Sequence, residues 1–474
     1  MRFAYRHKIQ LPNAADLESH STNARIGPPI LLAFGPMNAR AEQISVGMMR
    51  ILKGCSFASI WVGVSLLLFQ PDCTRGEDPT GQAITQHGAA SIANQAGSSL
   101  LSSSPFHLSL RIEAGYDDNS STSGTGGRGS LFTDGKITLF YDRQEVETQV
   151  RLIAIAGGTY FVDSRGSTPY DVNTSLALFL SHNVADRLKL AASIYAAYQT
   201  EPDFSSNAGL NNRRGNYLDT VDKFTVTYHW TSRFATVPTF AFQRVQYDNS
   251  SVATSLNRSD YTFGDELRFS LSARTVFVPE YRYEIVSYDS FTAEDSTTHF
   301  ALVGIDEDFS ERLKFNFRAG ATFRSFSSDG TRTDPHFEGS LDYALAPGSS
   351  LSWQTRYGVE ESNASAASRS GPMSRTTFRT GLQLDYALSA RISANVSGYY
   401  HHDEDQGLPS MGTAQPAFSQ DAYDLSFVLR YTIKPRFAFH LGFQHSQVSS
   451  TRTSDQLARP YSRNRYFAGL TYTY

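Results

Sequence analysis

The sequence predicts an all-β protein, a single transmembrane antiparallel up-and-down β-barrel of about 18 strands. Three observations predict it. Apolar and polar residues alternate with a period of two along most of the chain after residue 105. The connections between these segments alternate between short and long. The longest apolar run, residues 56–69, is shorter than the ~20 residues that a membrane-spanning helix needs.

The composition is compatible with strands that are apolar on one face only. Mean hydropathy is -0.34 although aromatic residues make up 13% of the chain. Half of each strand in a membrane barrel faces water, so low overall hydropathy does not exclude the membrane. The formal net charge of -4 provides no basic surface for nucleic acid, which we exclude as a partner.

The N-terminal part predicts export. Arg50 and Lys53 precede the apolar run 56–69, which is the pattern of a signal peptide. We assign residues 1–47 to a misassigned start or a leader, 48–76 to the signal peptide, 77–105 to a flexible periplasmic lead-in and 106–474 to the barrel. Both cysteines, Cys55 and Cys73, lie in the signal peptide, so the mature chain is expected to have no disulfide. A lipoprotein signal ending at Cys73 is disfavoured by Asp72.

The strands are recognised by their outward apolar sets. The first alternates Phe106, Leu108, Leu110 and Ile112 with polar residues, and the last ends on Leu470, Tyr472 and Tyr474. Between them the pattern recurs at 176–180, 188–194, 224–230, 313–323, 337–345, 351–359, 392–400, 423–431 and 437–443.

The connections predict the orientation. Long polar segments occupy 117–129, 163–169, 201–216, 248–259, 362–372, 403–419 and 450–462, and short ones 142–145, 273–275, 310–312 and 434–436. Bacterial outer-membrane barrels have long outer loops and short periplasmic turns. The first and last connections are long, so an even strand count places both termini in the periplasm.

Two kinds of residue refine this prediction. Pro238 and Pro279 fall inside predicted strands, where we expect bulges near the periplasmic rim; if they interrupt strands instead, the count drops to about 16. Aromatic residues near strand ends are expected to form two interfacial girdles. They are Tyr116, Tyr198, Trp230, Tyr247, Tyr288, Tyr400, Tyr431 and Tyr474.

The C-terminus carries the most specific motif. Gly469, Tyr472 and the terminal Tyr474 resemble the C-terminal assembly signal of bacterial outer-membrane barrels. With the signal peptide and the repeated amphipathic strands, the chain resembles the outer-membrane β-barrel porin family of Gram-negative bacteria, of the β-barrel porin 2 type. The resemblance implies a passive or export channel and recognition of the last strand by the barrel-assembly machinery.

Three motifs could carry other chemistry. Residues 124–129 match G-x-G-x-x-G, but no helical pattern follows, so we interpret them as an outer loop. Residues 400–407 contain Asp403 and Asp405 but lack the glutamate of a calcium loop, which favours a solvated acidic rim. His401, His402 and Asp403 are the densest candidate set for a hydrolase. We predict no cofactor and no metal.

Charged residues at inward positions are the candidate pore lining. Inward cations and anions are nearly balanced, which predicts weak ion selectivity unless the signs segregate; they could equally pair across strands and fix the register. The predicted pore-lining residues are Arg111, Glu113, Arg151, Arg268, Arg282, Glu284, Lys314, Arg318, Arg324, Glu338, Arg356, Arg379 and Arg430.

The leading functional hypothesis is a porin-like channel, not an enzyme, for passive diffusion of small polar solutes. An exopolysaccharide export conduit is the first alternative and a hydrolase at the barrel rim the second. Outer-membrane lipid and the solute, or a polysaccharide, are the expected partners. No outer loop is long enough to be expected in the lumen, whereas residues 77–105 could plug it. The sequence leaves the substrate and the oligomeric state open.

Overall fold

In the computed structural model, 18 antiparallel strands form one closed sheet. The structure describes residues 105–124, 127–163, 169–200, 215–290, 292–327, 330–361, 373–407, 418–451 and 460–474. The strands are β1 Phe106–Asp117, β2 Ser130–Gln144, β3 Thr148–Phe161, β4 Tyr170–Ala185, β5 Leu188–Thr200, β6 Asn216–Thr231, β7 Phe234–Tyr247, β8 Arg258–Ser270, β9 Thr275–Tyr288, β10 Ser296–Ser310, β11 Leu313–Phe326, β12 Gly330–Ala346, β13 Ser349–Glu360, β14 Met373–Ala387, β15 Ile392–Gly407, β16 Phe418–Lys434, β17 Phe437–Ser450 and β18 Tyr461–Thr473. The assignments made for residues 1–104 lie outside the described part.

The sheet closes between the first and last strands. Each strand pairs with its neighbours in the chain, and β1 also pairs with β18, from Ser109 opposite Thr473 to Asp117 opposite Arg465. Closure gives every strand two partners and leaves no free edge. The predicted up-and-down barrel is confirmed, with 18 strands.

Alternation separates an apolar outer face from a polar inner face. On β1, Ile112 is 71% exposed whereas the next residue, Glu113, is 5% exposed. Residues directly opposite each other in neighbouring strands share a face, so this assignment carries round the whole barrel. The outer face displays exposed leucine, isoleucine, valine, phenylalanine and tyrosine side chains on strand after strand. Such a continuous apolar belt on a closed barrel is the surface of a transmembrane barrel.

The two ends of the barrel differ in their connections. Short turns join each even-numbered strand to the next strand, and both termini of the sheet lie at that end, which we name the short-turn end. Most of the connections at the other, long-loop end are longer. One contains the helix α1, Ser250–Leu256, and another a 3-10 helix, Thr292–Glu294. Among the described helices, none has the length and hydropathy needed to span a bilayer.

Neither proline forms the predicted bulge. The register of β6 against β7 is the same before and after Pro238, and that of β8 against β9 is the same around Pro279; each site lacks only the local ladder pairs. Proline has no N–H to donate, so the ladder of backbone hydrogen bonds is interrupted at the proline but its register does not change. Beside Pro238, the Val237 N–H donates to Asp265 Oδ1 at 3.2 Å, which replaces one lost backbone bond. The strand count is therefore unaffected.

Two of the predicted girdle residues face the lumen. Tyr247 and Tyr288 are 4% and 3% exposed and lie at inward positions. Tyr247 stacks on Tyr217 with ring centroids 5.5 Å apart, and the Tyr288 hydroxyl donates to Glu361 at 2.6 Å. An aromatic residue near a strand end can face either the lipid or the lumen, and these two face the lumen. The other six predicted residues lie on the outward face.

An outer connection also reaches the inner wall, contrary to expectation. Helix α1 buries Val252 and Leu256 against Tyr217, Val245 and Tyr247, which are inward-facing residues of β6 and β7. Two apolar side chains one helical turn apart are enough to hold this connection, residues 248–257, against an apolar patch of the wall. The mouth at the long-loop end is narrowed on this side.

The face assignment predicts the response to an outward charge. Ile112→Arg places a guanidinium in the apolar belt near the middle of β1 and should lower the free energy of unfolding by roughly 2–4 kcal/mol. Ile112→Leu, the matched control, should change it by less than about 1.5 kcal/mol. Urea unfolding of the full chain in lipid vesicles measures both, and equal unfolding midpoints for the two variants would contradict the outward assignment.

Candidate functional site

The inner face of the barrel is the candidate site because it collects the charged side chains. All thirteen predicted pore-lining residues occupy inward positions in the registers of their strands. Their role in conduction stays a prediction. The structure distributes most of them among three ion-paired clusters.

The central cluster is organised around Arg318 on β11. Its side chain is completely buried, with Nη1 2.6 Å from Asp306 Oδ1 and Nε 3.6 Å from Glu280 Oε2. Its Nη2 lies 3.8 Å from Glu266 Oε2. Gly304 stands directly opposite, and a Cβ there would lie 2.2 Å from Arg318 Cδ. The glycine therefore provides the space that the guanidinium occupies.

Two further arginines complete the central cluster. Arg268 on β8 bonds Glu266 at 2.9 Å and Asp306 at 2.6 Å. Arg282 on β9 donates to Glu280 beside it and to Glu338 on β12, three strands away. Three cations and four carboxylates thus cross-link β8 to β12 through the lumen. Such pairing compensates for the removal of each charge from bulk water.

The outer cluster lies nearer the long-loop end. Arg324 and the Tyr288 hydroxyl both donate to Glu361, which follows β13 directly. Burial alone would raise the pKa of the Glu361 carboxyl, but the positive charges of Arg324 and Arg258 outweigh burial and lower that pKa. Beside it, Glu360 accepts from Arg379 at 2.5 Å.

The outer cluster also overturns the prediction of a solvated acidic rim. Residues 400–407 belong to β15, and Asp403 and Asp405 face inward with 3% and 5% exposure. Asp403 lies 3.6 Å from Arg375 of the neighbouring strand β14. Both carboxylates are buried because β15 extends further than the loop signal suggested and because β14 supplies a cation.

The seam cluster joins the first and last strands. Glu113 accepts from Arg111 at 2.9 Å and lies 2.6 Å from His440 Nε2. Arg463 bonds Asp117 at 2.6 Å across the closure. These pairs link β17 and β18 to β1, the strands that are furthest apart in sequence.

Five predicted residues lie apart from these contacts, and one of them, Glu284, lines the cavity described below. Arg151 pairs with Asp142 at 3.3 Å near the short-turn end. Lys314 is opposite Asp342 and Arg430 is opposite His440 in their ladders. Within the described residues, no carboxylate lies within ion-pair distance of Arg356, and its Nε has no hydrogen-bond partner.

A cavity of about 230 Å³ opens beside the central cluster. One wall carries Glu280, Glu284, Arg282 and Arg356, whereas β5 to β8 supply small, hydroxyl and apolar side chains together with the charged residues Lys223, Asp265 and Glu266. The second wall includes Ser193, Val221, Thr239, Ala241 and Thr262. Charged residues therefore lie on both sides of the cavity, and the side formed by β5 to β7 carries fewer of them.

The residues proposed for a hydrolase are separated by strand alternation. His401 and Asp403 face the lumen, whereas His402 faces outward and bonds Asp421 at 2.8 Å. Tyr400 donates to the same Asp421 oxygen at 2.7 Å. The three residues of the predicted set therefore do not share one face. No group of three or more potential metal ligands was found in the part of the chain that the structure describes.

The C-terminal motif forms the seam. Gly469 faces inward opposite Glu113 and His440, where a Cβ would lie 2.4 Å from the Ile112 carbonyl oxygen. Tyr472 packs against Phe437 on the outer face, with ring centroids 5.9 Å apart. The Tyr474 N–H donates to the Leu108 carbonyl at 2.7 Å. Recognition by the assembly machinery stays a prediction.

Sequence reasoning missed several residues that complete the clusters. Asp306, Glu361, Arg375, Asp117 and Arg463 all lie within four residues of a strand end or just beyond it. Four of them are at inward positions, so extending the alternation to the strand ends would have found those four; Glu361 lies beyond β13 and had no such signal.

Among known protein families, one matches part of this chain. The profile of the family described as "Putative MetA-pathway of phenol degradation" matches residues 287–456, just over a third of the chain. No curated protein matches the sequence. The matching profile is not that of the β-barrel porin 2 type, so that resemblance stays a prediction.

Several solved structures are similar at low identity. OccAB3 of Acinetobacter baumannii is 9% identical, with 78% of this chain and 99% of that chain covered and a TM-score of 0.39. OpdK of Pseudomonas aeruginosa, solved with vanillate, is 10% identical with 78% and 99% covered and a TM-score of 0.38. The siderophore receptor PirA of A. baumannii is 9% identical with 78% and 81% covered and a TM-score of 0.39. Similarity at this level does not specify a substrate.

The burial of Arg318 predicts a large effect of its removal. Arg318→Met leaves Asp306, Glu266 and Glu280 close together without their shared cation and should lower the free energy of unfolding by roughly 3–5 kcal/mol. Arg151→Met, which removes a half-exposed partner of one carboxylate, should cost at most about 1 kcal/mol. Urea unfolding in vesicles compares the two, and similar costs would show that Arg318 is not the centre of the network.

Proposed function

We propose that this chain is an outer-membrane channel for passive diffusion of small polar solutes. The observation that carries the proposal is a closed barrel with an apolar belt outside and a charged, hydroxyl-rich lumen inside. Contact with lipid explains the apolar belt. It does not explain why the inner face carries charged side chains around an open cavity. In a water-filled passage, the charged and hydroxyl side chains of the inner face are hydrated and can interact with the solutes that pass.

The side chains that occupy the inner face support small solutes over a polymer. The three clusters and helix α1 occupy part of the cross-section, and the cavity beside the central cluster is about 230 Å³. A polysaccharide would need a continuous wide track, whereas the charged side chains here bind to one another from strand to strand. The matching family's description names phenol degradation, and simple phenols fall in the size class that we propose.

Ion pairing inside the lumen suggests where selectivity resides. A carboxylate paired with an arginine presents little net field to a passing ion. Arg356 lines the cavity and, among the described residues, no carboxylate lies within ion-pair distance of it, although its charge acts on Glu284 and Glu360 from further away. We infer that Arg356 contributes more to charge preference than the paired arginines of the central cluster.

Single-channel recording tests the proposal. The full chain, refolded into a planar bilayer, should give stable conductance steps, and solutes of increasing size should enter liposomes at decreasing rates. A folded, heat-modifiable barrel that gives neither conductance nor solute uptake would overturn the passive-channel proposal.

The inferred role of Arg356 has its own measurement. Arg356→Glu reverses a charge at the cavity and should shift the salt-gradient reversal potential towards cation preference. Arg143→Glu, a charge change of equal size at the exposed end of β2, should shift the reversal potential much less because salt screens that site. Equal shifts from both variants would argue against selectivity at the cavity.

A further inference from the structure

Arginine recurs at one position of the short turns. Six of the eight turns at the short-turn end place an arginine directly before the strand that follows. All six side chains are exposed. We name them the turn arginines: Arg187, Arg233, Arg274, Arg312, Arg391 and Arg436.

Four of these turns share the same hydrogen bonds. In each, a serine or threonine two residues before the arginine accepts the backbone N–H of the arginine and of the next residue. Thr231 Oγ1 accepts from Arg233 at 3.2 Å, and Ser310 Oγ accepts from Arg312 at 3.2 Å. Ser272 and Ser389 accept in the same way, at 3.0 and 3.3 Å. The hydroxyl fixes the backbone of the turn, so the arginine is presented in the same way each time.

The turn arginines differ from the arginines of the lumen. The central, outer and seam clusters pair their arginines with carboxylates. Within the described residues, no carboxylate lies within ion-pair distance of any turn arginine. Arg274 donates to the Phe309 carbonyl at 3.3 Å, and the Arg436 guanidinium lies 5.4 Å from the Tyr474 ring centroid. Neither contact neutralises the charge.

The apolar belt extends to the same level. Large exposed side chains lie in these turns or within a few residues of them: Trp230 at 55%, Leu271 at 64%, Phe309 at 54%, Leu388 at 55% and Ile433 at 45%. The edge of the hydrocarbon is therefore at the turns, and the polar headgroups must begin there. An unpaired guanidinium at that level meets phosphate, whose oxygens it can bind in pairs.

We propose that the turn arginines bind the phosphates of anionic phospholipids in the leaflet that borders the short turns. The hydroxyl turn positions four of the six cations around the rim, and the neighbouring apolar side chains contact the acyl chains of the same lipids. The barrel is thereby fixed in depth at one interface. This proposal depends on the transmembrane fold and not on channel activity, so either can fail without the other.

Trp230 provides a local probe of the lipid beside Arg233. The chain has three tryptophans, and Trp61→Phe with Trp353→Phe leaves Trp230 alone. Quenching of Trp230 by brominated phosphatidylglycerol and by brominated phosphatidylcholine, in vesicles containing the refolded full chain, gives the relative binding constant of the two lipids. We expect phosphatidylglycerol to bind preferentially and the preference to weaken at high salt.

Variants of Arg233 test whether this arginine causes the preference for phosphatidylglycerol. Arg233→Gln should reduce the preference by up to about fivefold, the equivalent of roughly 1 kcal/mol for one cation near an anionic surface. Arg233→Lys should keep most of it, and both variants can be checked for folding by heat-modifiability. Arg143→Gln, at a turn where the arginine is already paired with Glu145, should leave it unchanged.

Two results would overturn the proposal. One is equal binding of both lipids by the parent protein. The other is an Arg233→Gln variant that folds and keeps the full preference, which would assign the turn arginines to some other anionic partner, such as an acidic protein or a solute.

Discussion

Backbone hydrogen bonding in lipid is the constraint on which the structure depends. Hydrocarbon offers no donors or acceptors, so each strand needs a partner on both sides, and the last strand must meet the first. The pairing of β1 with β18 meets this requirement through nine opposed residue pairs. Once the sheet is closed, successive side chains of each strand point alternately to the lipid and to the lumen. Small defects such as Pro238 are tolerated because a neighbouring carboxylate, Asp265, supplies a replacement acceptor.

Burial of charge in the lumen follows from the same geometry. Inward side chains from many strands converge on a limited volume, and arginines such as Arg318 become inaccessible to bulk water. They are tolerable only where carboxylates from other strands surround them, as Asp306, Glu266 and Glu280 do. A one-residue slip of any strand would move one partner into lipid and leave the other unpaired. The pairs therefore specify register in addition to lining the passage.

Much of this was predictable from the sequence, and the failures have separate physical causes. Period-two alternation placed all thirteen chosen charges on the correct face, because a strand allows only two faces. It did not predict that Arg282 reaches Glu338, since contact across three strands depends on the curvature of the barrel. Tyr247 was misassigned because its face was not considered, and Asp403 because β15 extends beyond the predicted end of that strand. Helix α1 was missed because its two anchoring residues are too few to produce a periodic signal.

Arginine serves three roles in this barrel, and its partners distinguish them. In the clusters, carboxylates cancel its charge, so Arg318 acts as a cross-link that contributes little to the field in the passage. At the cavity, Arg356 has no carboxylate within ion-pair distance among the described residues, so its charge is less completely cancelled than that of Arg318. At the short turns, a hydroxyl positions the backbone of Arg233, Arg274, Arg312 and Arg391, and no described carboxylate pairs with their guanidinium groups, which leaves their charge available to the bilayer. Counting charges on the inner face therefore overestimates the field in the passage, because it gives paired and unpaired arginines the same weight.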